Sequence, residues 1–296
     1  MMRREIWMVA TTLLACAGVA SAEPAGTDCH MHVQPMGFGG LPDDAARVQV
    51  ALEGAGLARA CILSFGYKPP SDCTPPACPS QREATTKAND WTLAQAATSE
   101  NLLGFCGVPI MARWAGDEIA RCGRAGARGL KVHSKSEGIS LREAKPAAAF
   151  GAVLDASAKA RLPVLIHLAA GAEEVAAFFA IVARHPDATV IAAHFLAQDA
   201  ALLPKAPKNL YVEVSGLVLA PKSAGAYFVK LWREMGMERV LLGSDWPLLH
   251  PSEHIAYLRD YPLTAEERDL IIRANALRLF PPAPPSGRQI EPLDHR

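Results

Sequence analysis

Apolar runs of strand length alternate with helix-patterned stretches eight times along this chain, and few folds accommodate that alternation. The runs fall at 27–33, 58–65, 102–110, 127–133, 162–168, 188–194, 210–215 and 239–245. Most are near-continuously apolar, as strands buried on both faces of a parallel sheet must be. Helical patterns are expected at 43–55, 81–99, 117–125, 141–159, 173–184, 198–203, 224–235 and 264–280. Ser80 with Glu83, and Thr264 with Glu267, have the spacing of capping boxes. Repeated strand–helix units favour a single-domain α/β protein, a (β/α)8 TIM barrel, over 23–280. An open doubly wound sheet is the competitor. It would place a glycine-rich phosphate loop after its first strand, and the segment from Val33 to Gly40 lacks the G-x-G-x-x-G order.

The two ends read differently. Met1-Met2-Arg3-Arg4 followed by an apolar run from Ile6 to Val19 and Ala20-Ser21-Ala22 has the form of a signal peptide over 1–22. The run is short for a bilayer span, which needs about 20 residues. A rival reading takes Leu13-Leu14-Ala15-Cys16 as a lipoprotein box with Cys16 as the lipid anchor. Both export the protein, and a periplasmic location is expected. Residues 281–296 open with Pro281-Pro282-Ala283-Pro284-Pro285 and should form a loose extension. In an oxidising compartment Cys73 and Cys78, in a turn-rich loop, are the candidates for a disulfide. Cys29, Cys61 and Cys106 lie in strand-like runs and read as buried small hydrophobes. With 30 basic and 30 acidic residues in 296, the balanced charge argues against nucleic acid as a partner. A small-molecule substrate is the expected partner, and homo-oligomers are compatible with the composition.

Chemistry concentrates at the predicted strand ends. Asp28-Cys29-His30-Met31-His32 places two imidazoles at i and i+2, on one side of a strand. His167, His194 and Asp245 end the fifth, sixth and eighth runs. These are the ends at which barrel enzymes build their sites. Neutral imidazole and carboxylate are ligands for zinc and related ions. Asp245 taken alone could instead be a helix N-cap before Trp246-Pro247.

Together with Gly129-Leu130-Lys131-Val132-His133, Gly243-Ser244-Asp245-Trp246-Pro247 and Asn275-Ala276-Leu277-Arg278-Leu279-Phe280, these pieces resemble the amidohydrolase superfamily, within it the amidohydrolase-2 group of metal-dependent hydrolases. The resemblance implies one or two divalent ions, zinc being the expected metal. It implies His30, His32 and His167 as ligands and Asp245 as ligand and proton shuttle. His194 would bind a second metal or hold the attacking water. Lys131 stays open between three roles: a carboxylated bridge between two metals, a cation that anchors a substrate carboxylate, and a structural lysine reaching the rim. A glutamate there would have suggested the superfamily's metal-dependent DNases. His133, Arg113, Trp246 and His250 are candidate substrate contacts, with Trp114 beside Arg113 on the same rim; His185, His254 and His295 read as solvated surface residues. The expected reaction is hydrolysis of a small amide, ester or lactone by metal-activated water. Decarboxylation on the same site, and a barrel that binds a ligand without turnover, are the alternatives.

Overall fold

The computed structural model describes residues 26–37, 40–68 and 79–282. The expected signal peptide with Cys16, the expected Cys73–Cys78 bond, His295 and most of the expected proline-rich extension lie outside the described residues. Eight parallel strands form one sheet in the order β1 to β8. They are β1 (Gly26–His32), β2 (Leu57–Leu63), β3 (Leu102–Gly107), β4 (Gly129–His133), β5 (Val164–His167), β6 (Val190–Ala192), β7 (Leu210–Glu213) and β8 (Val240–Leu241). The ring closes where Cys29 N donates to Leu242 O, Asp245 N to His30 O and His32 N to Trp246 O. The expected (β/α)8 barrel is therefore the fold.

Alternation along each strand explains why the runs are continuously apolar. One set of side chains, including Cys61, Leu103, Phe105, Leu165, Ile191 and Leu241, fills the barrel interior. The other set, including Ile62, Leu130, Val132, Ile166 and Val212, packs outward against the helices. Burying each such side chain stabilises by about 1.5–3 kcal/mol. β1 departs from strict alternation. Asp28 pairs with Ala60 and Met31 with Ile62, so β1 spends one residue more than β2 there. This bulge lets Cys29 join the interior cluster while His30 and His32 still project together.

Helices α1 (Ala45–Ala55), α2 (Gln81–Ala96), α3 (Ala115–Arg124), α4 (Ala144–Ala160), α5 (Ala172–Arg184) and α6 (Gly225–Met235) surround the barrel. Both expected capping boxes form, Ser80 with Glu83 and Thr264 with Glu267. Three helical expectations change. The expected helix at 198–203 is a longer 3-10 segment, Ala193–Lys205, which carries Pro204 inside it. The single helix expected at 264–280 is α8 (Ala265–Asp269), a π-helical turn at Leu270–Ala274 and α9 (Asn275–Leu279), counting α7 before them. That α7 (Pro251–Asp260) was not expected; Pro251 at its first turn reads as a loop signal in sequence but is compatible with a helix start. Ala276 of α9 and Phe280 plug the barrel base, with the Phe280 ring 5.7 Å from Phe105.

The cysteines also differ from expectation. Cys106 is bonded to Cys122 of α3, 16 residues away, rather than free. A loop of that length is worth about 3 kcal/mol in the chain-entropy account. The partner was not identified because contact between the outer face of β3 and α3 is a tertiary relation. Cys29 and Cys61 are free and buried, as expected.

Candidate metal centre at the barrel mouth

His30 and His32 end β1 with their Nε2 atoms 3.2 Å apart. Asp245 Oδ1 lies 3.2 Å from His30 Nε2 and 3.3 Å from His32 Nε2. Three donor atoms thus form a nearly equilateral triangle. Ligands at about 2.0–2.1 Å around a tetrahedral ion are separated by about 3.3 Å, so the triangle has the edge length that a divalent ion requires. These three residues fit a metal ion.

Asp245 reaches this place through an unusual backbone. It lies beyond β8, which is shorter than the expected run, and has φ +67°. Asp tolerates the left-handed region better than most residues. Its amide is held by His30 O, and Asp28 Oδ1 accepts from both His30 N and Ser244 N. The N-cap alternative for Asp245 is not what is found: α7 begins at Pro251 and is capped by His250. His194 likewise follows β6 rather than ending it, at φ +57°.

His167 ends β5, and its Nδ1 lies 2.9 Å from His194 Nε2. Its ring stacks on His133 at 4.0 Å. Lys131 is fully buried on β4, with Nζ 3.1 Å from His30 Nε2. Beneath the cluster sits Glu213 of β7, whose Oε1 is 2.7 Å from His30 Nδ1. Ser215 Oγ donates to Glu213 Oε1 at 2.8 Å and lies 2.8 Å from His194 Nδ1. Neither Glu213 nor Ser215 was singled out from sequence. The signal was there: a lone carboxylate in the apolar run at 210–215 must find a partner when buried. His30, His194 and Glu213 form a second group with mutually close ligand atoms.

The other candidates lie elsewhere. Arg113 is exposed, outside the hydrogen-bonded cluster. Arg82 lies over the Trp114 ring. Trp246 is buried with Arg47 over its ring, and with His250 it lines a separate depression against α1. His254 is buried rather than solvated, accepting at Nε2 from Gly216 N, because α7 turns it inward beneath the β7 loop. His185 is half-buried and pairs with Asp155 at 2.7 Å.

Burial dominates the electrostatics. It pushes the imidazoles of His32 and His133 down to about 3, His194 to about 4 and His167 to about 2. It lowers Lys131 to about 8, against the pull of Asp245 and Glu213. Burial and Lys131 lower His30, but Glu213 and Asp245 outweigh them and raise it. Burial raises Asp28 to about 6. Burial opposes ionisation of Asp245 too, yet His30 and His32 hold it far below the usual carboxylate range. The sign for stability follows. Between pH 6.5 and 5 the unfolded chain binds protons that five buried imidazoles refuse, His254 with the four of the mouth, whereas Asp28, His30 and Glu137 bind more protons when folded. Five against three leaves the unfolded state the net proton acceptor, so stability falls as pH falls through this window. The loss expected for metal-free protein is on the order of 1 kcal/mol per pH unit after screening. Urea midpoints at pH 7.5 and pH 5 in chelator check it; an unchanged midpoint contradicts it.

The cluster opens on a cavity of about 530 Å³ lined by His167, His194, Ser215 and Asp245 on one side. Leu168, Val175, Leu219, Phe228 and Leu249 give it apolar walls, and Lys135 stands at its edge. Fold and site together define a (β/α)8 barrel with a His/Asp donor triangle of divalent-metal dimensions at its mouth. Residues 27–281 match the Amidohydrolase family model (Amidohydro_2), and the chain belongs to that family. A search of curated proteins finds no match. Among solved structures, the chain is similar to 2,6-dihydroxybenzoate decarboxylase from Rhizobium, at 15% identity and TM-score 0.64 over 86% of this chain and 98% of that one. It is similar to 5-carboxyvanillate decarboxylase from Sphingomonas paucimobilis, at 15% identity and TM-score 0.65 over 87% and 99%. It is also similar to a dihydroxybenzoic acid decarboxylase from Polaromonas with bound manganese, at 15% identity and TM-score 0.65 over 86% and 96%. At such identities the likeness shows the fold.

Proposed function

We propose that this chain is a divalent-metal-dependent decarboxylase of a small aromatic or unsaturated acid. The carrying observation is the triangle of His30 Nε2, His32 Nε2 and Asp245 Oδ1 opening on an apolar-walled cavity. His30, His32 and Asp245 would hold a divalent ion there, which would supply positive charge to an oxygen of the acid. The apolar walls strip water from the carboxylate, whose charge disperses as carbon dioxide departs. Asp245, kept ionised, takes a proton from an acidic hydroxyl or water and returns it to the carbon that retains the electron pair of the broken C–C bond. Manganese in one decarboxylase of the same fold makes manganese as reasonable a metal as the zinc expected from sequence. This reading replaces hydrolysis as the primary expectation, because the solved decarboxylases share the architecture across nearly the whole chain.

Hydrolysis remains the second reading, favoured by one observation: Lys131 Nζ lies buried 3.1 Å from His30 Nε2, where a carbamate formed on it would offer its oxygens as a bridge between two metal ions. Two measurements separate them. The purified protein is loaded with manganese or zinc and offered hydroxybenzoates, lactones and amides while carbon dioxide release and hydrolysis are followed. Carbon dioxide release with one metal equivalent supports the proposal. Hydrolysis with two equivalents, bicarbonate dependence and a mass gain of one carbon dioxide at Lys131 supports the second. Metal that does not bind removes both and leaves a ligand-binding barrel. A signal peptide over 1–22 would put the enzyme in the periplasm, a reading with which the Cys106–Cys122 bond is compatible.

A further inference from the structure

We propose that Glu213 is a positioning residue that fixes the tautomers of three imidazoles, His30, His194 and His167, through one chain of hydrogen bonds. Its Oε1 receives three donors: His30 Nδ1 at 2.7 Å, Ser215 Oγ at 2.8 Å and His194 N at 2.9 Å. Oε2 accepts from Ser215 N at 2.7 Å. A buried carboxylate so placed is acceptor-only, which puts the His30 proton on Nδ1 and leaves the Nε2 lone pair facing Asp245 and His32. The Ser215 hydroxyl has one proton. A charge-assisted bond to Glu213 is roughly twice as strong as a neutral one, so that proton goes to the carboxylate. Ser215 Oγ must then accept from His194 Nδ1 at 2.8 Å. His194 Nε2 is left as an acceptor, and His167 Nδ1, 2.9 Å away, is its donor. The Nε2 lone pair of His167 is thereby free as well. His32 lies outside this chain, since its Nδ1 has no partner among the described residues. Gly243 makes the arrangement possible, because a Cβ there would lie 2.1 Å from Glu213 Oε2.

The test reads tautomers directly in the metal-free full chain, whatever reaction it catalyses. Long-range ¹H–¹⁵N spectra of the histidine rings, taken at alkaline pH where every ring is neutral, are expected to show His30, His194 and His167 protonated at Nδ1. Glu213→Leu, whose side chain accepts no hydrogen bond, should release all three and weaken Mn²⁺ or Zn²⁺ binding, by chelator competition, about 10–100-fold. Ser215→Ala should release His194 and His167 but leave His30 fixed, with metal affinity within about threefold of the parent. Histidine spectra and metal affinity unchanged in Glu213→Leu would overturn the proposal. If that variant does not fold, Ser215→Ala decides: an unshifted His194 overturns the chain, a shifted one supports it. Absence of decarboxylation with the tautomers as stated would sink the proposed reaction and leave Glu213 in this role.

Discussion

Asp245→Asn is expected to lose roughly 10²–10⁴-fold in kcat while unfolding at nearly the parent temperature. The two halves of this expectation have separate causes. Asparagine is among the few residues that accept φ +67°, so the turn beyond β8 survives and Asp245's amide bond to His30 O is kept. The neutral amide neither takes a proton nor presents negative charge to His30 and His32 at the 3.2–3.3 Å now seen. Metal content falls with it, so metal analysis accompanies the kinetics. Turnover within a fewfold of the parent would remove Asp245 from the chemistry. Asp245→Ala should add backbone strain and lose stability as well, which separates conformation from charge.

Gly243→Ala is expected to cost about 2–4 kcal/mol of stability, large for one methyl group. Its Cβ would lie 2.1 Å from Glu213 Oε2 and 3.1 Å from Cβ of His30. Glu213 cannot swing aside freely, because four donors hold its carboxylate at the barrel axis. Either the carboxylate leaves its partners buried and unpaired or β8 shifts against β1. A urea midpoint and a metal titration measure both consequences. A stability change under about 0.5 kcal/mol with full metal affinity would mean that Glu213 does not sit where this packing puts it.

Much of the architecture was readable because its signals are local. Continuous apolar runs, capping boxes at Ser80 and Thr264, and the i, i+2 pair His30/His32 are each settled within a few residues. What stayed hidden depends on distant partners. Glu213 looks like an oddity in a strand until His30, 183 residues away, is set against it. His254 reads as surface until α7 packs it under the β7 loop. Trp246 and His250 follow β8 in sequence but turn toward α1, away from the cavity.

The sequence by itself determined the barrel and the residue types at its mouth, because strand period and burial on both faces are encoded locally in apolar order. Only the tertiary structure decided the near-equilateral spacing of three donor atoms, the bond between Cys106 and Cys122, and the carboxylate that orients the imidazoles. Such relations are distances between strands far apart in the chain. They are set by barrel closure, by the bulge in β1 and by the left-handed turn at Asp245, none of which leaves a pattern in neighbouring residues.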